Sequence, residues 1–309
     1  MKNNRSAAAG HLSALFCILV WGTTFISTKV LLADFSPVEI LVLRFTMGFI
    51  VLFIAYPKRL KTASMREELL FAGAGLCGVT MYFLLENVAL TYTLASNVGV
   101  IVSVAPFFTG ILSHFLLKGE RLHRAFLMGF VIAITGVFLI GYNTSQVLKL
   151  NPVGDLLALL ASFSWALYST LMRKIQDLHY NNIACTRRVF LYGLIFMVPA
   201  LFLMDFNLDF SKVLVPVNLM NLLFLGLFAS AQCFVFWNWA VGILGAVKTS
   251  LYIYIVPVVT LIAAALLLNE TITPTALLGS CLALAGMFLA ERRKKQTQAK
   301  GNQPNMTDA

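Results

Sequence analysis

The chain of 309 residues is 59% apolar and only 12% charged, with a formal net charge of +10. A water-soluble domain carries about a quarter charged residues, and a mean hydropathy of +0.84 leaves too little polar surface for one. These figures exclude a soluble enzyme, a disordered chain and a nucleic-acid-binding module. They describe an integral membrane protein.

A hydrocarbon core about 30 Å thick takes about 20 helical residues per crossing. Apolar runs of that size predict ten spans: 12–32, 38–56, 69–90, 95–117, 125–142, 153–172, 183–204, 217–239, 246–268 and 274–290. Continuous runs of this kind exclude the alternating strands of a β-barrel. Short connections and a basic tail, 291–309, are all that remains. With the N-terminus in the cytoplasm, nineteen of the 23 Lys and Arg residues fall inside and only Lys149 and Lys212 outside. The positive-inside rule therefore places both termini in the cytoplasm of a multi-pass cell-membrane protein. The five cysteines lie in apolar helices without metal-ligand spacing, so no metal, disulfide or cofactor is expected.

Taken in chain order, the spans repeat. Moved by 144 residues, Trp21 meets Trp165, Lys29 meets Arg173 and Arg44 meets Arg188; moved by 151, Asn87 meets Asn238 and Pro106 meets Pro257. Each unit has five helices, and an odd number forces the second to enter the membrane upside down. The expected architecture is therefore an all-α, 5+5 inverted repeat: a cytoplasmic N-terminus 1–11, a first unit 12–142, an outer linker 143–152, a second unit 153–290 and the tail. Two such units exchanging conformations give alternating access to a central site.

The first unit opens on Trp-Gly-Thr-Thr-Phe at 21–25 and continues through Lys29, Pro37 and Leu-Arg-Phe at 43–45. Asn-Val-Ala-Leu-Thr-Tyr-Thr follows at 87–93, then Pro106 and Lys-Gly-Glu-Arg at 118–121. This series resembles an EamA-type domain of the drug/metabolite transporter superfamily, and Trp165, Arg173, Pro257 and Asn-Glu-Thr at 269–271 resemble a second one. In the second unit Asn181 and Ile183 replace Pro37 and Glu39, and Ala166 replaces Gly22. The resemblance covers residues 10–291. It implies a central cavity lined by helices one to four and six to nine, helices five and ten at the periphery, and export of amino acids, nucleosides or other metabolites.

Ionisable groups in hydrocarbon cost at least about 2.5–3.5 kcal/mol and so point to function. Glu86 is the acid inside the third span, at a similar outer depth to Lys29 and Arg44. It reads either as an outer-gate ion pair or as a site for a substrate ammonium or coupling proton. Trp237 stands where the repeat would place a second acid. Arg173, Arg187, Arg188 and Lys248 therefore lie near the inner ends with little predicted compensation. Arg44 and Arg188 sit several residues into their helices and join Glu86 as charge-recognition candidates, with Lys29 and Arg173 as gate residues. Trp21, Trp165, Tyr168, Asn87, Asn238, Asn97 and Tyr252 are expected to shape the cavity, and Pro106 and Pro257 to act as hinges. Gly129, Gly136, Gly279 and Gly286 predict close packing against the bundle or within a homodimer.

The four histidines lie near helix ends without an acid at metalloprotease spacing, which argues against an intramembrane enzyme. The sequence thus reads as a secondary exporter of small metabolites, amino acids or related zwitterions first, with a proton or a counter-substrate as the candidate coupling partner. A flippase for a lipid or lipid-linked carrier, or an exporter of hydrophobic or cationic drugs, is the alternative.

Overall fold

A computed structural model describes residues 2–93, 95–117, 123–142, 151–204, 206–268 and 273–291, with side chains except those of residues 2–6, 95–97, 141–142, 264 and 267–268. Among the described residues ten long helices cross the molecule: α1 Lys2–Leu31, α2 Pro37–Ala55, α3 Met65–Tyr92, α4 Val98–Leu116, α5 Arg124–Tyr142, α6 Pro152–Gln176, α7 Asn182–Leu203, α8 Pro216–Leu244, α9 Ala246–Ala263 and α10 Pro274–Glu291. Nine contain a stretch long and apolar enough to span a membrane, and α5 is a shorter apolar helix. The protein is an all-α, multi-pass membrane protein.

Local chemistry sets the helix starts. Ser36 caps α2 in a capping box with Glu39, and Pro37 occupies the first turn, where its missing N–H costs nothing. Asn151 and Asn181 cap α6 and α7 by accepting from Gly154 and Ala184. Between α8 and α9 the chain reverses on Gly245, whose φ of 89° disfavours side-chain-bearing residues.

The packing follows the repeat. Helix α1 lies against α8 and α9, and in the same manner α6 lies against α3 and α4. Helix α2 packs on α8 as α7 packs on α3, and α2 and α7 meet each other. At the periphery α5 and α10 form a close pair. The glycines expected to face the bundle or a partner face each other here. A Cβ on Gly136 would stand 2.4 Å from the carbonyl oxygen of Gly279, and one on Gly129 would stand 2.5 Å from that of Gly286.

Two departures from regular helix also repeat. Helix α3 widens into π-turns over Leu76–Met81 and α8 over Phe224–Gln232, overlapping segments under the 151-residue shift. Helix α4 breaks at Ser103–Val104 ahead of Pro106, and α9 tightens to 3-10 geometry over Leu251–Ile255 ahead of Pro257. The face carrying Lys2 and Glu291 is called the terminal face below, and the opposite one the α1–α2 face.

Candidate functional site

A small cavity lies between the middle of the bundle and the α1–α2 face. Helix α1 contributes Trp21 and Thr24, α2 Arg44, α3 Tyr82 and Glu86, α4 Val102 and Ser103, α6 Trp165, and α9 Ile253 and Val256. Val102 and Ile253 are the residues whose carbonyls lose an intrahelical donor to Pro106 and Pro257. Both breaks thus occur where their helices meet the cavity.

Four predicted site residues come together here: Glu86, Arg44, Trp21 and Trp165. Glu86 is 6% exposed and Arg44 2%, yet they form no ion pair. The ion pairs among the described residues are Arg173–Asp177, Arg188–Glu68 and Lys248–Glu291. Arg44 instead donates from Nε to Ser230 Oγ at 2.6 Å, and its guanidinium carbon lies 4.3 Å from the centre of the Phe83 ring. This clamp from the π-turn of α8 and the ring of α3 holds the guanidinium in place. The Glu86 carboxylate has no donor among the described residues.

Aromatic rings close the cavity toward the terminal face. Trp21 stands edge-on to Trp165 at 5.3 Å and tilted against Trp237 at 5.0 Å, while Tyr82 and Tyr168 flank Trp165 at 4.8 and 5.0 Å. The repeat-related tryptophans are not equivalent. Trp21 Nε1 donates to the Ala229 carbonyl at 2.9 Å, in the π-turn of α8, whereas Trp165 Nε1 is buried without an acceptor.

The other predicted residues lie elsewhere. Tyr168 is fully buried below Trp165 and donates to Asn238 Oδ1 at 2.6 Å; Asn238 in turn donates to Thr186 at 3.0 Å. Asn87 turns from the cavity to the Pro37 carbonyl at 3.3 Å. Tyr252 meets His11 near the terminal face, and the side chain of Asn97 lies outside the described residues. Lys29 bonds the Leu90 carbonyl at 2.9 Å, and Arg173 bonds those of Val241 and Gly242 at 3.3 and 2.6 Å. Leu90 and Val241 are themselves related by 151 residues. Each cation therefore ties the end of its unit's third helix within its own unit.

The cations expected near the inner ends do find partners. Arg188 pairs with Glu68 at 2.9 Å, and Tyr192 donates to the same carboxylate. Arg187 donates to the carbonyls of Tyr56 and, at 2.7 Å, Lys58, while Tyr180 donates to Glu67 at 2.8 Å. All of these cross between the two units on the terminal face. Sequence reasoning missed them because Glu67 and Glu68 precede the predicted third span by one or two residues.

The profile of the EamA-like transporter family matches the chain twice, over residues 8–142 and 152–291. An Archaeoglobus fulgidus protein named an uncharacterized transporter is 27% identical over 93% of this chain and 98% of its own. The Escherichia coli K12 protein named a probable amino-acid metabolite efflux pump is 29% identical over 89% and 92%. One from Streptantibioticus cattleyicolor, named a probable terminal-alkyne amino-acid exporter, is 25% identical over 93% and 95%. A crystal structure with a TM-score of 0.72, at 19% identity over 92% of this chain and 96% of its own, shares the fold. With matching segments in both halves and helices that pack in repeat-related pairs, the chain belongs to the EamA-like transporter family.

Proposed function

We propose that the chain is a secondary transporter that exports small zwitterionic metabolites, amino acids foremost, across the cytoplasmic membrane by alternating access. The carrying observation is a buried acid and a buried cation that line one cavity without pairing. Leaving two charges unpaired in a membrane is unfavourable, and a zwitterion answers both: its carboxylate meets Arg44 and its ammonium meets Glu86. The printed names of the Escherichia coli and Streptantibioticus cattleyicolor relatives support the same substrate class. The Lys and Arg asymmetry supports a cytoplasmic terminal face, with residues 12–142 and 153–290 as the two moving units. Glu86 is also the group through which a proton gradient would couple.

The test is uptake of labelled amino acids into proteoliposomes under an imposed pH gradient, with Glu86→Gln beside wild type. Wild type should move an amino acid, and Glu86→Gln should lose the gradient dependence. A mutant that keeps it refutes the role of Glu86. If wild type moves no amino acid, the substrate class is wrong.

A further inference from the structure

The repeat relates positions within the cavity as well as whole helices. Moved by 144 residues in α1 and α2 and by 151 in α3 and α4, the lining residues Trp21, Phe25, Arg44, Glu86 and Ser103 fall on Trp165, Ser169, Arg188, Trp237 and Tyr254. Apart from Trp165, this second set lies nearer the terminal face than the cavity. Four of the five are shut, with Trp237 and Tyr254 0% exposed, Ser169 1% and Trp165 3%, and Arg188 is half-buried.

Groups this deeply buried are normally hydrogen-bonded. Here Trp165 Nε1, Ser169 Oγ, Trp237 Nε1 and Tyr254 Oη have no partner, whereas Arg188 is engaged by Glu68 through both Nε, at 2.9 Å, and Nη2, at 3.1 Å. Trp165 and Trp237 lie 6.1 Å apart, with Ser169 one helical turn from Trp165, whereas Tyr254 packs with Phe126, Leu251 and Met287. Three unsatisfied polar groups therefore lie on α6 and α8 where the repeat projects the lining of the open cavity.

We infer that Trp165, Ser169, Arg188 and Trp237 form a second chamber, closed in this conformation, that receives the carboxylate end of the substrate from the terminal face. The inference rests on the alternating-access reading above and adds the chemistry of the other side. The set offers two indole N–H groups, a hydroxyl and a guanidinium but no carboxylate, since Trp237 stands where the repeat would place a second Glu86. Such a lining suits an anionic group and gives an ammonium no counter-charge. The inter-unit contacts of Arg187, Arg188, Tyr180 and Tyr192 hold it shut. Opening frees Arg188 from Glu68 to face the chamber.

The test uses the full-length protein in proteoliposomes, its five native cysteines replaced by alanine, carrying Ser169→Cys with and without Glu68→Gln. A membrane-impermeant thiol reagent is applied to either face. Ser169→Cys should react from the terminal face alone, at least tenfold faster when Glu68→Gln weakens the latch. Phenylalanine should protect it and phenethylamine, the same molecule without its carboxylate, should not. Phe25→Cys, on the other side of the floor, reports folding by reacting from the α1–α2 face. If Phe25→Cys reacts and Ser169→Cys stays inert in both backgrounds, there is no such chamber. Equal protection by the amine, or none by phenylalanine, removes the carboxylate assignment. Trp237→Phe keeps the ring and gives a second reading: it should raise KM for phenylalanine entering from the terminal face about tenfold, and an unchanged KM overturns its part. Terminal-face labelling with phenylalanine protection, but without amino-acid transport, would support the chamber and refute the proposed export.

Discussion

Gly136→Ala tests the α5–α10 pair most directly. A Cβ there would stand 2.4 Å from both the Gly279 carbonyl oxygen and the Ala283 nitrogen. Both are backbone atoms, so no rotamer change relieves the clash. Ordinary contact begins at 3.4 Å, and the helices must separate by about 1 Å along a seam with matching glycines at Gly129 and Gly286. A radial gap of that size forfeits up to about half of each contact's dispersion energy. Overpacking of this kind costs about 1–3 kcal/mol, and a two-sided backbone clash belongs at the upper end. Alanine's better helix propensity returns about 1 kcal/mol, leaving a net loss of about 2 kcal/mol. Gly99→Ala is the control, because its Cβ would meet nothing within 4 Å. In detergent, Gly136→Ala should melt several degrees below wild type and Gly99→Ala should not. If Gly136→Ala melts with wild type, the close approach of α5 and α10 is wrong.

Two further substitutions separate support from recognition. Tyr168→Phe removes the donor to Asn238 Oδ1 in a fully buried position and should cost about 1–3 kcal/mol, read by thermal melting, with KM unchanged. Lys29→Met and Arg173→Met each untie a helix end. Both should lower the melting temperature slightly, by about 0.5–1 kcal/mol for Lys29 and more for Arg173, which also loses its pair with Asp177. A shift in transport KM in either variant would contradict this within-unit role.

The helices and their repeat were legible because each depends on a local signal: apolar run length, caps and matching residues at constant shift. Predicted spans and observed helices agree within about five residues at each end except at the start of α1, which begins at Lys2 where the sequence predicts a separate N-terminus 1–11, and Glu86, Arg44, Trp21 and Trp165 share one cavity. Legibility ended where a side chain's role depends on which neighbour it reaches. Nothing in the order of residues distinguishes the Trp21 indole, which has an acceptor, from that of Trp165, which has none; the Ala229 carbonyl decides it. Tyr168 and Asn238, both expected at the cavity, satisfy each other instead. Glu68 was hidden because a hydropathy window ends where its ion pair begins. The π-turns left no sequence mark, since they are stabilised by contacts such as Ser164 Oγ donating to the Cys77 carbonyl at 2.9 Å.

Those π-turns also determine which way the rest of their helices point. Each residue of an α-helix advances the azimuth by about 100°, and a π-turn absorbs extra residues without adding axial length in proportion. Were Leu76–Met81 to wind as plain α-helix at the same length, the half of α3 beyond it would turn by nearly a third of a revolution. Glu86, only five residues beyond Met81, would then be swung off the cavity while keeping nearly the same depth. The acid's bearing is therefore set five residues upstream of it, and straightening that segment would turn Glu86 from the cavity while leaving every lining residue intact.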